Sequence, residues 1–384
     1  MSRSFTALEK AQQIGLDVAA AHADAVDKDA RFPSEAFDAL KAERMLGIFI
    51  RPEYGGGGCS IADLSAICTT LGQYCSATGM VFAMHQIQVA CIVRHARNSQ
   101  FFAGYLAELA DTQALIASAT SEIGVGGDVR SSVCAVERDN GSFAIRKQAP
   151  VVSYGEHADA ILATARSSPD APPSDQVLAL LKREEFTLTR TSGWDTLGCR
   201  GTCSPGFVLS AIAPEDHILP VSYAEISSQT MLPVSHILWA SVWVGIATAA
   251  VGRARAYIRA EARKSPGKTP VASVRLAEVV SKLQGMRAVV NDSVRDYESI
   301  MGDPDALTAM NFAIRMNNLK LNCSTAVVDI VGHSMLICGM SGYREDSKFS
   351  LGRLLRDAYG AALMINNDRI YGANAAMLLV SKDD

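Results

Sequence analysis

The chain lacks the short patterns that mark most metal, phosphate and hydrolytic sites. Its seven histidines are scattered, and none pairs with a carboxylate or second histidine at ligand spacing, so no metal site is expected. There is no Gly-x-Ser-x-Gly elbow and no phosphate loop of the Gly-x-x-x-x-Gly-Lys-Ser/Thr type. Nine cysteines include no Cys-x-x-Cys pair. An odd number without close pairs points to a reducing compartment, not to a disulfide framework. A net charge of -4 argues against a phosphate-binding surface, so nucleic acid is not an expected partner. The opening twenty residues carry a helical pattern without the apolar centre of a secretion signal. The most apolar run, Leu238 to Val251, is interrupted by Ser241 and Gly245 and is short for a bilayer. A cytoplasmic location without a membrane partner is the expectation.

Apolar residues make up 48% of the 384 positions, enough for several packed layers or domains. Apolar spacing of three and four predicts helices over Phe5–Ala25, from Pro33, over Ile61–Tyr74, Met80–Arg97 and Phe101–Ala110. Pro52-Glu-Tyr-Gly-Gly-Gly-Gly58 interrupts them as a loop. The texture then becomes β-branched, with strands expected at 131–137, 143–146, 160–164, 176–181 and 207–210. Asp139-Asn-Gly-Ser142 and Ser168-Pro-Asp-Ala-Pro-Pro173 are turn signals between them. Helical periodicity returns over about 234–262, 269–302, 304–335 and 353–380. The expectation is an α+β multidomain chain. A helical domain (1–113) precedes a middle antiparallel, β-barrel-like domain (114–225) and a C-terminal four-helix bundle (226–384).

Four segments resemble, in order, those of the acyl-CoA dehydrogenase family. Pro52-Glu-Tyr-Gly-Gly56 is similar to its early loop. Ala119-Thr-Ser-Glu-Ile-Gly-Val-Gly-Gly-Asp128 resembles its Thr-Glu-Pro-x-x-Gly-Ser-Asp segment. Leu197-Gly-Cys-Arg-Gly-Thr202 looks like its Gly-x-Arg-Gly-Thr turn. Gly339-Met-Ser-Gly-Tyr343 followed by Arg353-Leu-Leu-Arg-Asp-Ala358 matches its closing Gly-Gly-x-Gly-Tyr…Arg-Asp-Ala pattern. The resemblance implies FAD bound between the β domain and the last helices. It also implies a homo-oligomer, a dimer or a homotetramer, in which a second subunit completes the cofactor site.

Carried over residue by residue, the flavin contacts fall on Thr120, Ser121 and Ser153, with Val151 where the family has a flanking Trp. The serine after the family's glycines is Gly127 here. The cross-subunit contacts fall on Arg263, Ser265 and Gly339. Simple strand-end capping is the competing reading of Ser121 and Ser153.

One departure is large. The family's Glu, which takes the α-proton of an acyl thioester, corresponds to Ile365 in Met364-Ile-Asn-Asn-Asp368. The family's alternative base falls on or beside Ile237. His236, next to it, titrates in the useful range, unless it is a helix cap. Asp368 lies one turn from Ile365, where it could instead serve a helix N-terminus. His85 is placed to touch substrate, or to be buried and merely hydrogen-bonded. The resemblance therefore implies first an FAD-dependent oxidoreductase acting on an acyl thioester of CoA or a carrier protein, with a non-standard or absent base. Its redox partner would be an electron-accepting flavoprotein. The alternatives are a monooxygenase of the same fold, using reduced FMN or FAD from a flavin reductase with O2, and a catalytically silent member.

Overall fold

The computed structural model describes residues 6–380 except Ser265. Thr6 caps the first helix, accepting from the Glu9 amide while the Glu9 carboxylate accepts from the Thr6 amide. That helix, α1 (Ala7–Ile14), runs through a π turn (Gly15–Ala19) into α2 (Ala20–Lys28). The helices α3 (Ser34–Ala42), α4 (Ile61–Tyr74), α5 (Ser76–His95) and α6 (Gln100–Thr112) follow. The second long apolar helix begins at Ser76, one turn before the expected Met80. Gln113 ends α6 in the left-handed conformation, and its side chain accepts from the Leu46 amide at 2.8 Å.

Seven strands follow: β1 (Ile116–Ala119), β2 (Glu137–Asp139), β3 (Ser142–Ala149), β4 (Ala160–Arg166), β5 (Gln176–Lys182), β6 (Phe186–Arg190) and β7 (Phe207–Pro214). They form two sheets, in the orders β1-β4-β5 and β2-β3-β7-β6. The larger is antiparallel throughout, but β1 runs parallel to β4. The middle region is thus mixed, against the expectation of a purely antiparallel one. A parallel pair needs a long connection, and residues 120–159 supply it. The strand expected at 131–137 begins only at Glu137, for a reason given with the site below.

The C-terminal helices are α7 (Tyr223–Ile226), α8 (Leu232–Lys264), α9 (Ser273–Ile300), α10 (Pro304–Thr308), α11 (Met310–Cys338), α12 (Met340–Tyr343), α13 (Gly352–Leu363) and α14 (Asn367–Leu378). The central helix is α8, packed against α4, α5, α9 and α11 with Trp243 fully inside. Burying each such side chain contributes about 1.5–3 kcal/mol. Close approach of α4 and α8 requires glycine: a Cβ at Gly245 would lie 2.3 Å from the Thr69 carbonyl oxygen. The apolar run at 238–251 belongs to a continuous helical stretch, Tyr223–Lys264, which is long and apolar enough to cross a membrane by length and composition. Ser76–His95 and Met310–Cys338 qualify as well. In all three the apolar surface is used inside the protein, with 83%, 89% and 50% of the respective windows buried.

The Arg-Asp-Ala tripeptide proves to be a clamp between three parts of the chain. Arg356 pairs with Asp27 at the end of α2, and Arg353 with Asp24. The buried Asp357 carboxylate accepts from the Cys199 amide at 2.7 Å and from the Ser76 hydroxyl. Gly198 is required beside it, since a Cβ there would strike the Arg356 carbonyl oxygen.

Candidate active site

The sequence period predicts one helix over 353–380, but the chain breaks at Met364-Ile365-Asn366 between α13 and α14. Ile365 sits at φ +46°, a region that a β-branched residue seldom occupies. Asn366 restarts the helix, its side chain accepting from the Asp368 amide at 2.8 Å. The break is held from below by Lys320 of α11. Its ammonium donates to the Ile365 carbonyl at 2.8 Å and to Asn367 Oδ1 at 2.6 Å. Lys320 is fully buried, and no carboxylate among the described residues pairs with it. Burial pulls its pKa down to about 8. Ile365 remains 36% exposed, so an apolar surface stands at the position that corresponds to the family's carboxylate.

None of the candidate bases stands free in the expected way. His85 is wholly buried, bonded through Nε2 to the Leu46 carbonyl at 2.9 Å and through Nδ1 to the Ile116 amide at 3.0 Å. Both ring nitrogens are used, and burial lowers the pKa to about 4. His85 is therefore a bracket joining residue 46, α5 and β1, and not a polar substrate contact. His236 is an interior residue of α8 and not a cap: Nδ1 lies 3.0 Å from the Met316 carbonyl, and burial lowers its pKa to about 4. Asp368 is exposed in the first turn of α14, the position of a carboxylate that favours a helix N-terminus.

On the sheet side, the expected flavin contacts do come together. Thr120 and Ser121 directly follow β1, and the Ser121 hydroxyl donates to the Val151 carbonyl at 2.9 Å. Ser153 Oγ accepts from Ser204 Oγ at 2.8 Å, which leaves its own O–H free to donate. Val151 presents a 41% exposed apolar side chain beside these hydroxyls. A planar group with a polar edge fits that combination. The next loop holds Gly124, Gly126 and Gly127, all at positive φ. Arg369 of α14 reaches across to donate to the Gly126 carbonyl. A Cβ on Gly127 would lie 3.2 Å from the Arg369 guanidinium, so this arginine takes the room of the missing serine.

Several participants escape the sequence motifs. Glu122, inside the quoted segment, accepts from Ser132 Oγ, the Cys134 amide and Lys147 Nζ at 2.6, 2.6 and 3.0 Å. Burial pushes its carboxyl up, but Lys147 and these donors outweigh it and hold the group below its ordinary range. The anchoring draws residues 132–134 away from the sheet, which is why the expected strand does not form there. Lys147 and Lys320 do carry a faint signal, as charged residues at positions that the period assigns to the core. Arg263 is exposed at the end of α8, without an ion pair among the described residues. Gly339, at φ +53°, ends α11 with open space beside it. Neither is brought to the Thr120–Ser153 cluster by a described contact, and Ser265 lies outside the described residues.

Two family models match the chain: "Acyl-CoA dehydrogenase, N-terminal domain" over residues 6–113 and "Acyl-CoA dehydrogenase, C-terminal domain" over 226–364. The second match stops one residue before Ile365. The chain is 25% identical over 350 residues to a probable acyl-CoA dehydrogenase of Bacillus subtilis, covering 88% of each. It is 23% identical over 354 residues to an amino sugar nitrososynthase of Streptomyces peucetius, covering 88% of this chain and 84% of that one. Among solved structures, FMN-bound TdsC from Paenibacillus sp. A11-2 superposes with a TM-score of 0.86 at 18% identity, over 98% of both chains. A nitrososynthase from Micromonospora carbonacea does so at 0.83 and 17%, again over 98% of both. The helix–sheet–helix order, the family-model matches and these relatives agree: the chain belongs to the acyl-CoA dehydrogenase family.

Proposed function

We propose that this protein is a flavin-dependent oxygenase of its family, and that it does not remove an α-proton from a thioester. One observation carries the reading: the apolar Ile365 stands at the position of the family's base, and among the described residues no hydrogen bond or ion pair brings another carboxylate to the turn that Lys320 holds. Lys320, with a pKa near 8, is protonated at neutral pH and cannot accept a proton there. Asp368 is exposed in the first turn of α14, and His236 is a weak base. Loss of a positioned base costs about 10²–10⁴ in rate. Oxygenation by reduced flavin has no such step, so Ile365 costs it nothing.

Under this reading, Thr120, Ser121, Val151 and Ser153 would hold reduced FMN or FAD, which when bound would supply the two electrons that reduce O2. Ser153 would offer its free O–H to the flavin's polar atoms, and the apolar side chains of Val151 and Ile365 would exclude water from the site. One oxygen atom enters the substrate and the other leaves as water, with NADH as the electron source through a flavin reductase. Arg263 and Gly339 act on a neighbouring subunit's cofactor in a homo-oligomer. The relationship to a probable acyl-CoA dehydrogenase favours a second reading, FAD-dependent dehydrogenation of an acyl thioester with an electron-accepting flavoprotein as partner.

The test supplies flavin-loaded protein with NADH, a flavin reductase and ¹⁸O2, with phenol and indole as probes. One ¹⁸O atom in a product is expected. Conversion of butyryl-CoA to the enoyl thioester with an artificial electron acceptor would establish the second reading instead. Protein that cannot be loaded with either flavin defeats both.

A further inference from the structure

Two ring nitrogens on α8 are buried without a partner. The first belongs to His236. Its Nδ1 lies 3.0 Å from the Met316 carbonyl, and a carbonyl only accepts, so Nδ1 carries the proton. Burial keeps the ring neutral, with the nearby Lys320 charge acting in the same sense against the support of the Met316 bond. In that tautomer Nε2 presents a bare lone pair, which is buried and has no hydrogen-bond donor. The second is Trp239 Nε1, one helical turn further along α8, a buried N–H with no acceptor. The two ring centroids are 6.3 Å apart and tilted by 43°. Met316, the partner of His236, lies one turn before Lys320 on α11, and Lys320 holds the Ile365 carbonyl. His236 is thus linked, through Met316 and Lys320, to the turn that stands where the family has its base.

Buried polar atoms are nearly always paired, and leaving them unpaired lowers stability. A lone pair and an N–H on one face of one helix are together complementary to a hydroxyl. Its hydrogen would be donated to His236 Nε2, and its oxygen would accept from Trp239 Nε1. Val234, Ile237 and Leu238 of the same segment are apolar and buried, beside the buried Ser235. We infer that His236 and Trp239 form a subsite for a hydroxyl group on an otherwise apolar substrate, and that His236 is its specificity-determining contact. This inference rests on the proposal that the Ile365 turn borders the reacting centre. It also explains why His236 is kept neutral: here it accepts a hydrogen bond and does not take up the proton.

The test is calorimetric binding of phenol and anisole to the oxidised, flavin-loaded protein under nitrogen. Anisole keeps the ring and the accepting oxygen but cannot donate. Phenol is expected to bind about tenfold tighter, although anisole is the more apolar of the two. His236→Asn can keep an N–H donor for the Met316 carbonyl but is too short to place an acceptor where Nε2 lies, so it should erase the preference. Trp239→Phe should weaken both ligands alike. Equal binding to the native protein, as when an ordered water alone satisfies Nε2, overturns the subsite. So does binding of neither ligand, or a preference that survives in His236→Asn. If that variant does not fold, the comparison on the native protein decides. No turnover is involved, so a preserved preference without oxygenation leaves the subsite standing, and oxygenation without a preference sinks the subsite alone.

Discussion

A histidine illustrates how burial decides between chemistry and architecture. Both nitrogens of His85 are committed to backbone groups of segments far apart in the chain, the Leu46 carbonyl and the Ile116 amide. Sequence shows a histidine on an apolar helix but not these partners, because they are main-chain atoms 39 and 31 positions away. Truncation orphans the buried Ile116 amide, at about 1–3 kcal/mol, and leaves a cavity, while the Leu46 carbonyl keeps the Gln86 side-chain amide as donor. His85→Ala should therefore lower unfolding free energy by about 2–5 kcal/mol, read as a shift in the urea midpoint. Ile365 was legible in another way. Its departure from the family's carboxylate needs only an alignment, whereas its left-handed backbone needs the fold.

At the scale of elements, the break between α13 and α14 was hidden because residues 353–380 keep an apolar period throughout. What interrupts it is a charge on another helix: the Lys320 ammonium, tied to Ile365 and Asn367. Hydrogen bonds to a charged group contribute about 1.5–3 kcal/mol. Lys320→Met removes both and should free the turn locally. Amide exchange over 364–370 is expected to accelerate at least about tenfold while the middle of α11 stays protected. Uniform acceleration through both helices would mean that Lys320 supports the bundle as a whole and not the turn. The strand expected at 131–137, which begins only at Glu137, has the same kind of origin, since Glu122 pins Ser132 and the Cys134 amide from outside the local sequence. Strands at 143–146, 160–164, 176–181 and 207–210 were readable because nothing remote competes with their β-branched pattern.

For the whole molecule, the helix–sheet–helix order was legible from periodicity and turns, and the family from four co-linear motifs. The motifs turned out to mark where parts of the chain meet: Gly198 and Asp357 touch, and Arg356 reaches Asp27. Buried histidines also set a global pH response. His85, His95 and His236 are all held near a pKa of about 4, mainly by burial. Unfolding returns each to about 6.5, so between these values the unfolded chain binds more protons. Their stabilising effect is complete above pH 7 and is lost as pH falls toward 4. Up to three protons correspond to a slope of about 4 kcal/mol per pH unit at most. Unfolding midpoints measured from pH 7 to 4 should fall steeply, and a flat profile would contradict the burial of these rings.

The exposed apolar residues Leu336, Met340, Tyr343 and Leu363 lie near the end of α11 and on α13, where a second subunit is proposed to sit. Whatever the assembly, the proposed reaction turns on the residue at the α13–α14 break. The most direct measurement is an anaerobic titration of the oxidised, flavin-loaded protein with butyryl-CoA, followed by flavin absorbance. The account predicts that the flavin stays oxidised, since Ile365 cannot take the α-proton and no neighbour does so in its place. Stoichiometric bleaching, with the enoyl thioester formed in equal amount, would contradict it.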